Sequence, residues 1–187
     1  MKYFLDTEFC ENVGSIDLIS IGIVSETGKE FYALNKHCNI NSAWKNKWLV
    51  DNVFVQVYTE YVHGDMRNVS PFSRGSIKSI FNSFGLSKLE MKQGIDIFIG
   101  NDRNPEFYGY YADYDWVVFC WIFGKMIDLP KHFPMYCKDL KQMMDDRGLT
   151  KEWKQQNCPD PEGEHNALVD ARWNKKLYDL IIQQPIK

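Results

Sequence analysis

The chain has 187 residues, of which 44% are hydrophobic and 25% charged, and a formal net charge of −3. It is long enough to bury a substantial core, and its charge argues against a protein that coats a nucleic-acid duplex. Five cysteines without a C-x-x-C pair argue against a zinc ribbon or a redox dithiol.

No apolar run nears the ~20 residues that span a bilayer. The opening MKYFLDTEF is acidic by position 6 and lacks an apolar h-region, so it does not read as a signal peptide. The expectation is a soluble protein of a reducing cytoplasm.

In chain order, KYFLDTEF is short, aromatic and β-prone, and predicts a strand. IDLISIGIVSETGKEFYALN predicts two more, split by SETGKE, whose Thr27-Gly28 suits a hairpin. The three strands predict an antiparallel meander. From Ser42 to about Val55, Trp44, Trp48, Leu49 and Val53 recur at helical spacing, with Asn41 or Ser42 as caps.

TEYVHGDMRNVSPFSRGS is polar and holds Gly and Pro, and reads as a loop. SIKSIFNSFG and SKLEMKQGIDIFIG carry helical periods. EFYGYY predicts a fourth strand, running directly into the apolar helix DYDWVVFCWIFGKM. FPMYCKDLKQMMDDRG predicts a short strand and a helix ending near Gly148. WKQQNCPDPEGE reads as a second loop, and residues 164–182 as the closing helix. Neither loop divides two cores, so one domain over residues 1–187 is expected. A meander followed by helices and strand–helix units predicts an α/β fold with a mixed sheet covered by helices.

Carboxylates fall at three places in this pattern. Asp6 and Glu8 stand two apart in the first strand and share a face. Their alternative is a solvated strand end. Asp113 and Asp115 lie where the fourth strand feeds a helix, where either could serve as a cap. Asp170 borders the apolar stripe of the last helix, formed by Ala167, Leu168, Ala171, Leu177 and Ile181.

His165 lies five positions before Asp170, roughly 140° around a helix from it at 3.6 residues per turn. Acids from three separate elements can converge at one sheet edge. A set of hard oxygen ligands suits Mg²⁺ or Mn²⁺ better than zinc, and a pair of such ions can clamp the attacking and leaving oxygens of a phosphodiester.

FLDTEF, ADYDWVVF and HNALVDA resemble, in order and context, the three motifs of DnaQ-like 3′–5′ exonucleases of the DEDDh type. Within that group the chain is most similar to the mycobacterial-type polyadenylate-specific exoribonucleases, through the opening strand, the LISIG strand, the tryptophan of KWLVDNV and the closing H-x-ALVDAR pattern. The resemblance covers nearly the whole chain and implies a ribonuclease H-like fold.

It also implies that Asp6, Glu8, Asp115 and Asp170 hold two divalent cations, with Asp6 bridging them and Asp113 the second choice to Asp115. His165 is then the general base, a role for which imidazole is well poised near neutral pH. Nucleoside 5′-monophosphates would be released from the 3′ end of single-stranded RNA, with poly(A) the indicated substrate and a homodimer the indicated assembly.

Thr7, Phe9 and Trp48 are the candidate substrate contacts. Phe9 and Trp48 would stack on bases, with core packing the favoured alternative for both rings, and backbone groups of Thr7 and Phe9 would meet the terminal sugar. Lys45, Lys47, Arg172 and Lys175 are candidates for phosphate, with solvated helix charge the favoured alternative for each. The competing readings are a DNA-directed exonuclease and a non-catalytic nucleic-acid-binding module.

Overall fold

In the computed structural model, which describes residues 1–62 and 70–186, the three predicted strands form the meander: β1 (Lys2–Asn12), β2 (Ser15–Ser25) and β3 (Glu30–Leu34). The β2–β3 turn closes as expected, with Gly28 at φ +84° and its N–H on the Ser25 carbonyl at 2.9 Å. β4 (Glu106–Gly109) and β5 (Lys138–Asp139) extend the sheet parallel to β1, in the order β3-β2-β1-β4-β5. This mixed α/β sheet flanked by helices is a ribonuclease H-like arrangement.

The helix expected from Ser42 to Val55 is broken. It comprises α1 (Ile40–Ala43), α2 (Lys47–Leu49), a widened π turn over Val50–Phe54, and α3 (Val55–Val62). Two asparagines explain the break, and neither is Asn41. Asn39 caps α1 through the Ser42 N–H at 3.1 Å. Asn46 restarts the helix by accepting from the Trp48 and Leu49 N–H groups at 3.0 and 3.4 Å.

α3 also takes in the first residues of the segment read as a loop. Residues 63–69 of that segment lie outside the described residues, and its end opens α4 (Arg74–Phe84) under a Ser73–Ser76 capping box. α5 (Lys88–Ile99) and α6 (Asp113–Phe123) follow, then α7 (Leu140–Asp145). α8 (Lys151–Asn157) occupies part of the second expected loop, started by the Thr150 hydroxyl on the Trp153 N–H at 3.2 Å. α9 (Ala167–Ile181) begins three residues later than the expected 164, because Asn166 caps it. No helix among the described residues is long and apolar enough to cross a membrane.

Alternation along β1 divides its side chains between two layers. Tyr3 and Leu5 join the core shared with α5 and α6, including Ile95, Phe107 and Phe119. Phe4 joins Leu140, Leu177, Tyr178 and Ile181 beneath α7 and α9. Ile19 and Leu34 pack with Leu49, Phe54 and Phe81 in a third cluster under α1 to α4. Asp6 and Glu8 continue the face of Phe4, so their carboxylates point toward the layer that α9 covers.

Candidate active site

β1 and β4 pair only over Lys2, Tyr3 and Phe4. Beyond that point the two strands separate, and the β1 edge needs other partners for its peptide groups. Side chains supply them. The buried Asn174 on α9 donates to the Leu5 carbonyl at 2.9 Å. Asp115 in the first turn of α6 accepts the Thr7 N–H at 2.9 Å, and the same oxygen accepts the Thr7 hydroxyl at 2.6 Å.

The opened end of the sheet is thus a cleft of about 690 Å³, at the carboxyl ends of β1 and β4, where α/β sheets characteristically bind ligands. A register shift between Glu8 and Phe9 marks a bulge that re-aims the strand there, and Phe9 also lines the cleft.

α9 closes the cleft from the other side, and Gly22 lets it in. Gly22 sits opposite Asp6 in the β1–β2 register, and a Cβ there would lie 2.2 Å from the Ala167 carbonyl oxygen and 2.5 Å from Leu168 Cα. The helix N-terminus therefore rests on bare sheet backbone beside Asp6. His165 precedes the helix in the left-handed region at φ +70°, and its N–H donates to Asp170 at 2.8 Å. The helical-wheel separation of 140° does not apply, because His165 lies outside the helix. Its ring meets Trp48 edge-on at 4.7 Å, and its Nε2 lies 3.9 Å from a Glu164 carboxylate oxygen.

One ligand-capable atom each from Glu8, His165 and Asp170 lie within 4.8 Å of one another, and Asp6 and Asp115 line the same cleft. Burial first, and then the charges of Asp115, Glu8 and Asp170, hold the Asp6 carboxyl well above its ordinary range. Glu8 is raised well above its range by burial and by Asp170, Asp115 and Glu164. Burial lifts Asp115 to about 6 against the opposing pull of the Thr7 bonds. Asp170 rises to about 7, again chiefly through burial, with the His165 N–H opposing it.

Among the described residues, none of these four acids pairs with Lys or Arg, and neither the Asp6 nor the Glu8 carboxylate accepts a hydrogen bond. Four hard acceptors with uncompensated charge fit divalent cations.

Of the two acids that open α6, Asp115 is buried and faces the cleft, while Asp113 is exposed. Trp48 lines the cleft with half its surface exposed. Thr7 has both donors committed to Asp115. The lysines and arginine named as phosphate candidates are elsewhere, in keeping with the favoured alternative of helix-surface charge. Arg172 is bidentate to Glu30 at 2.7 Å, Lys175 pairs with Asp179 at 2.7 Å, Lys47 pairs with Asp51, and neither these three nor Lys45 lines the cleft.

The cations that do line it are Lys141, Lys151 and Lys154. Their sequence neighbourhoods carry no sign of this, since the folding of α7 and α8 onto the β4 side brings them there. Lys154 is buried, paired with Asp160 and clasped by the Trp173 and Tyr110 rings at 4.9 and 5.4 Å. Asp160 belongs to the segment leading to His165, which Trp173 also ties down through the Pro159 carbonyl at 2.9 Å.

No protein-family model matches the chain. Two curated proteins of Mycobacterium tuberculosis do: the 3′–5′ exoribonuclease Rv2179c of strain ATCC 25618 / H37Rv and the 3′–5′ exoribonuclease MT2234.1 of strain CDC 1551 / Oshkosh. Each is 31% identical over 181 residues, spanning 97% of this chain and 93% of the relative.

Proposed function

The chain belongs to the family of these 3′–5′ exoribonucleases, and from that premise we propose that it hydrolyses single-stranded RNA from the 3′ end in the DEDDh manner, releasing nucleoside 5′-monophosphates. The observation that carries this reading is the convergence of Asp6, Glu8, Asp115, Asp170 and His165 in one cleft. The four acids would hold two divalent cations, Mg²⁺ or Mn²⁺. When bound, such ions offset phosphate charge and lower the pKa of water.

The protein's own groups do the rest. Thr7 holds Asp115 in place against the β1 edge. The His165 backbone is fixed to Asp170, which leaves the imidazole free to accept the proton of the attacking water. Trp48, edge-on to that ring, limits how far it turns. Phe9 and the exposed half of Trp48 offer faces to the terminal bases. Adenylate preference and a homodimer are the finer parts of the proposal.

The test is digestion of equal-length 5′-labelled RNA and DNA, with poly(A), poly(U) and poly(C) beside them, with Mn²⁺ or chelator. The expected result is a ladder shortening from the 3′ end, with mononucleotide product, abolished by Asp6→Asn and by His165→Ala. A wild-type protein that releases no mononucleotide, or an Asp6→Asn variant as active as wild type, refutes the reading.

A further inference from the structure

The cleft has two chemically unlike walls. One carries the carboxylates, His165, Phe9 and Trp48. The other carries Tyr111, in the turn between β4 and α6, with Lys141 on α7 and Lys151 at the start of α8.

Lys151 is exposed and has no ion-pair partner among the described residues. Among the described residues Lys141 pairs only with Asp145, four residues on along the same short helix, where the carboxylate is 59% exposed. Such a contact yields readily to a phosphate. Lys154 differs from both, because its charge is already answered inside the protein by Asp160.

Tyr111 is the odd member of this wall. Its φ of 55° is left-handed, a conformation that costs energy for a bulky residue. It is held there by the neighbouring Ala112 N–H on Asp139 at 2.8 Å and by edge contact with Tyr110 at 4.6 Å. Yet the side chain stays 63% exposed, so core packing does not account for a ring at this position.

We propose that Tyr111, Lys141 and Lys151 form a track for the RNA strand upstream of the scissile bond, an inference that rests on the exoribonuclease reading. The terminal nucleotide brings a single phosphodiester into the cleft, the scissile one, and that group belongs at the carboxylates. Lysines on the opposite wall therefore meet the phosphates of the preceding nucleotides. Tyr111 gives one of those bases a stacking face that does not discriminate by sequence. The acidic wall repels the same phosphates, so the two walls together fix the direction in which the strand lies. Affinity then grows with RNA length until the track is filled.

The experiment is fluorescence anisotropy in Mn²⁺ with 5′-labelled, phosphorothioate-linked RNAs of two and ten nucleotides. It compares wild type, the Lys141→Gln/Lys151→Gln double variant and Tyr111→Gly, which suits a left-handed backbone and so removes the ring without disturbing the turn. Wild type should bind the ten-mer well above the dimer. The double variant should lose about ten-fold on the ten-mer, with a salt slope shallower by about 1.4 for two lost single-strand phosphate contacts, and little on the dimer. Tyr111→Gly should lose at least about five-fold on the ten-mer, the lower end of one base–aromatic stack, without a change of slope.

Variants that bind the ten-mer like wild type, or lose affinity equally on both lengths, overturn the track. Unmodified RNA in parallel separates the two readings. Length-dependent binding without hydrolysis removes the nuclease assignment and leaves the track standing, whereas hydrolysis with unaltered ten-mer binding in the variants removes the track alone.

Discussion

Thr7 donates both its backbone N–H and its hydroxyl to one oxygen of Asp115, at 2.9 and 2.6 Å, joining residues 108 positions apart. The bond exists because β1 no longer pairs with β4 at that point, so a peptide group on that open side orients a carboxylate of the cleft. Removing the hydroxyl alone leaves Asp115 with the N–H bond and more freedom. Thr7→Val is expected to weaken Mn²⁺ binding by about 10-fold or more, the usual scale for groups that orient a ligand, and Thr7→Ser to restore most of it. Titration calorimetry reads this directly, and a valine variant with wild-type affinity would count against the coupling.

Gly22→Ala places a methyl 2.2 Å from the Ala167 carbonyl oxygen, a backbone atom that cannot swing aside. The expected stability loss is about 1–3 kcal/mol or more. Turnover should fall further than stability, because the helix that must move carries Asp170 and sets the His165 turn. Gly75→Ala is the control. It sits in the first turn of α4, where a Cβ meets nothing nearer than 3.6 Å, and should be neutral or stabilising. Urea midpoints and initial rates for the two variants distinguish the outcomes.

The four acids give the ion-free protein a definite pH dependence. Their folded pKa values lie above the ordinary carboxylate range, at about 6 for Asp115 and about 7 for Asp170. The folded state therefore binds their protons more tightly than the unfolded chain does. Their contribution to stability is complete below the unfolded values of about 4 and is lost as pH rises through about 6 to 7. Chelator-treated protein is expected to melt higher at about pH 5.5 than at about pH 8, on either side of the folded values of about 6 and 7. Saturating Mn²⁺ should raise the melting temperature more at the alkaline end, since ions and protons compete for the same oxygens. Scanning fluorimetry with the reverse order would contradict the arrangement.

Arg172 ties α9 to β3 through Glu30 and faces away from the cleft, with about half its side chain exposed. Arg172→Ala is expected to cost no more than about 1 kcal/mol of stability, and to leave the salt dependence of RNA binding unchanged. A shallower salt slope would mean that the guanidinium leaves Glu30 to meet phosphate.

The strands and the acids were legible in the sequence for a shared reason: both follow from short-range rules. Alternation in KYFLDTEF and a Thr-Gly turn define the meander, and two-residue spacing puts Asp6 and Glu8 on one face. The break at Asn46 was hidden, because the apolar period runs through it and only the cap geometry reveals that the helix restarts. His165 was read on a helix because periodicity has no signature for a left-handed residue before a cap. The cleft lysines were illegible for a deeper reason. Lys151 is an unremarked polar residue until α8 docks, whereas Arg172 and Lys175, beside the closing motif, turn out to be occupied by neighbours.

α9 lies across β1 and β2, so the first and last elements of the described fold build the cleft together. Asp6 and Glu8 therefore emerge during translation well before Asp170 and His165, and wait for α9 to be made and docked. A polypeptide cut short before His165 and α9 would keep the sheet edge and its two acids but lack the imidazole and carboxylate that face them, so the cleft is assembled by docking rather than by any single stretch of chain.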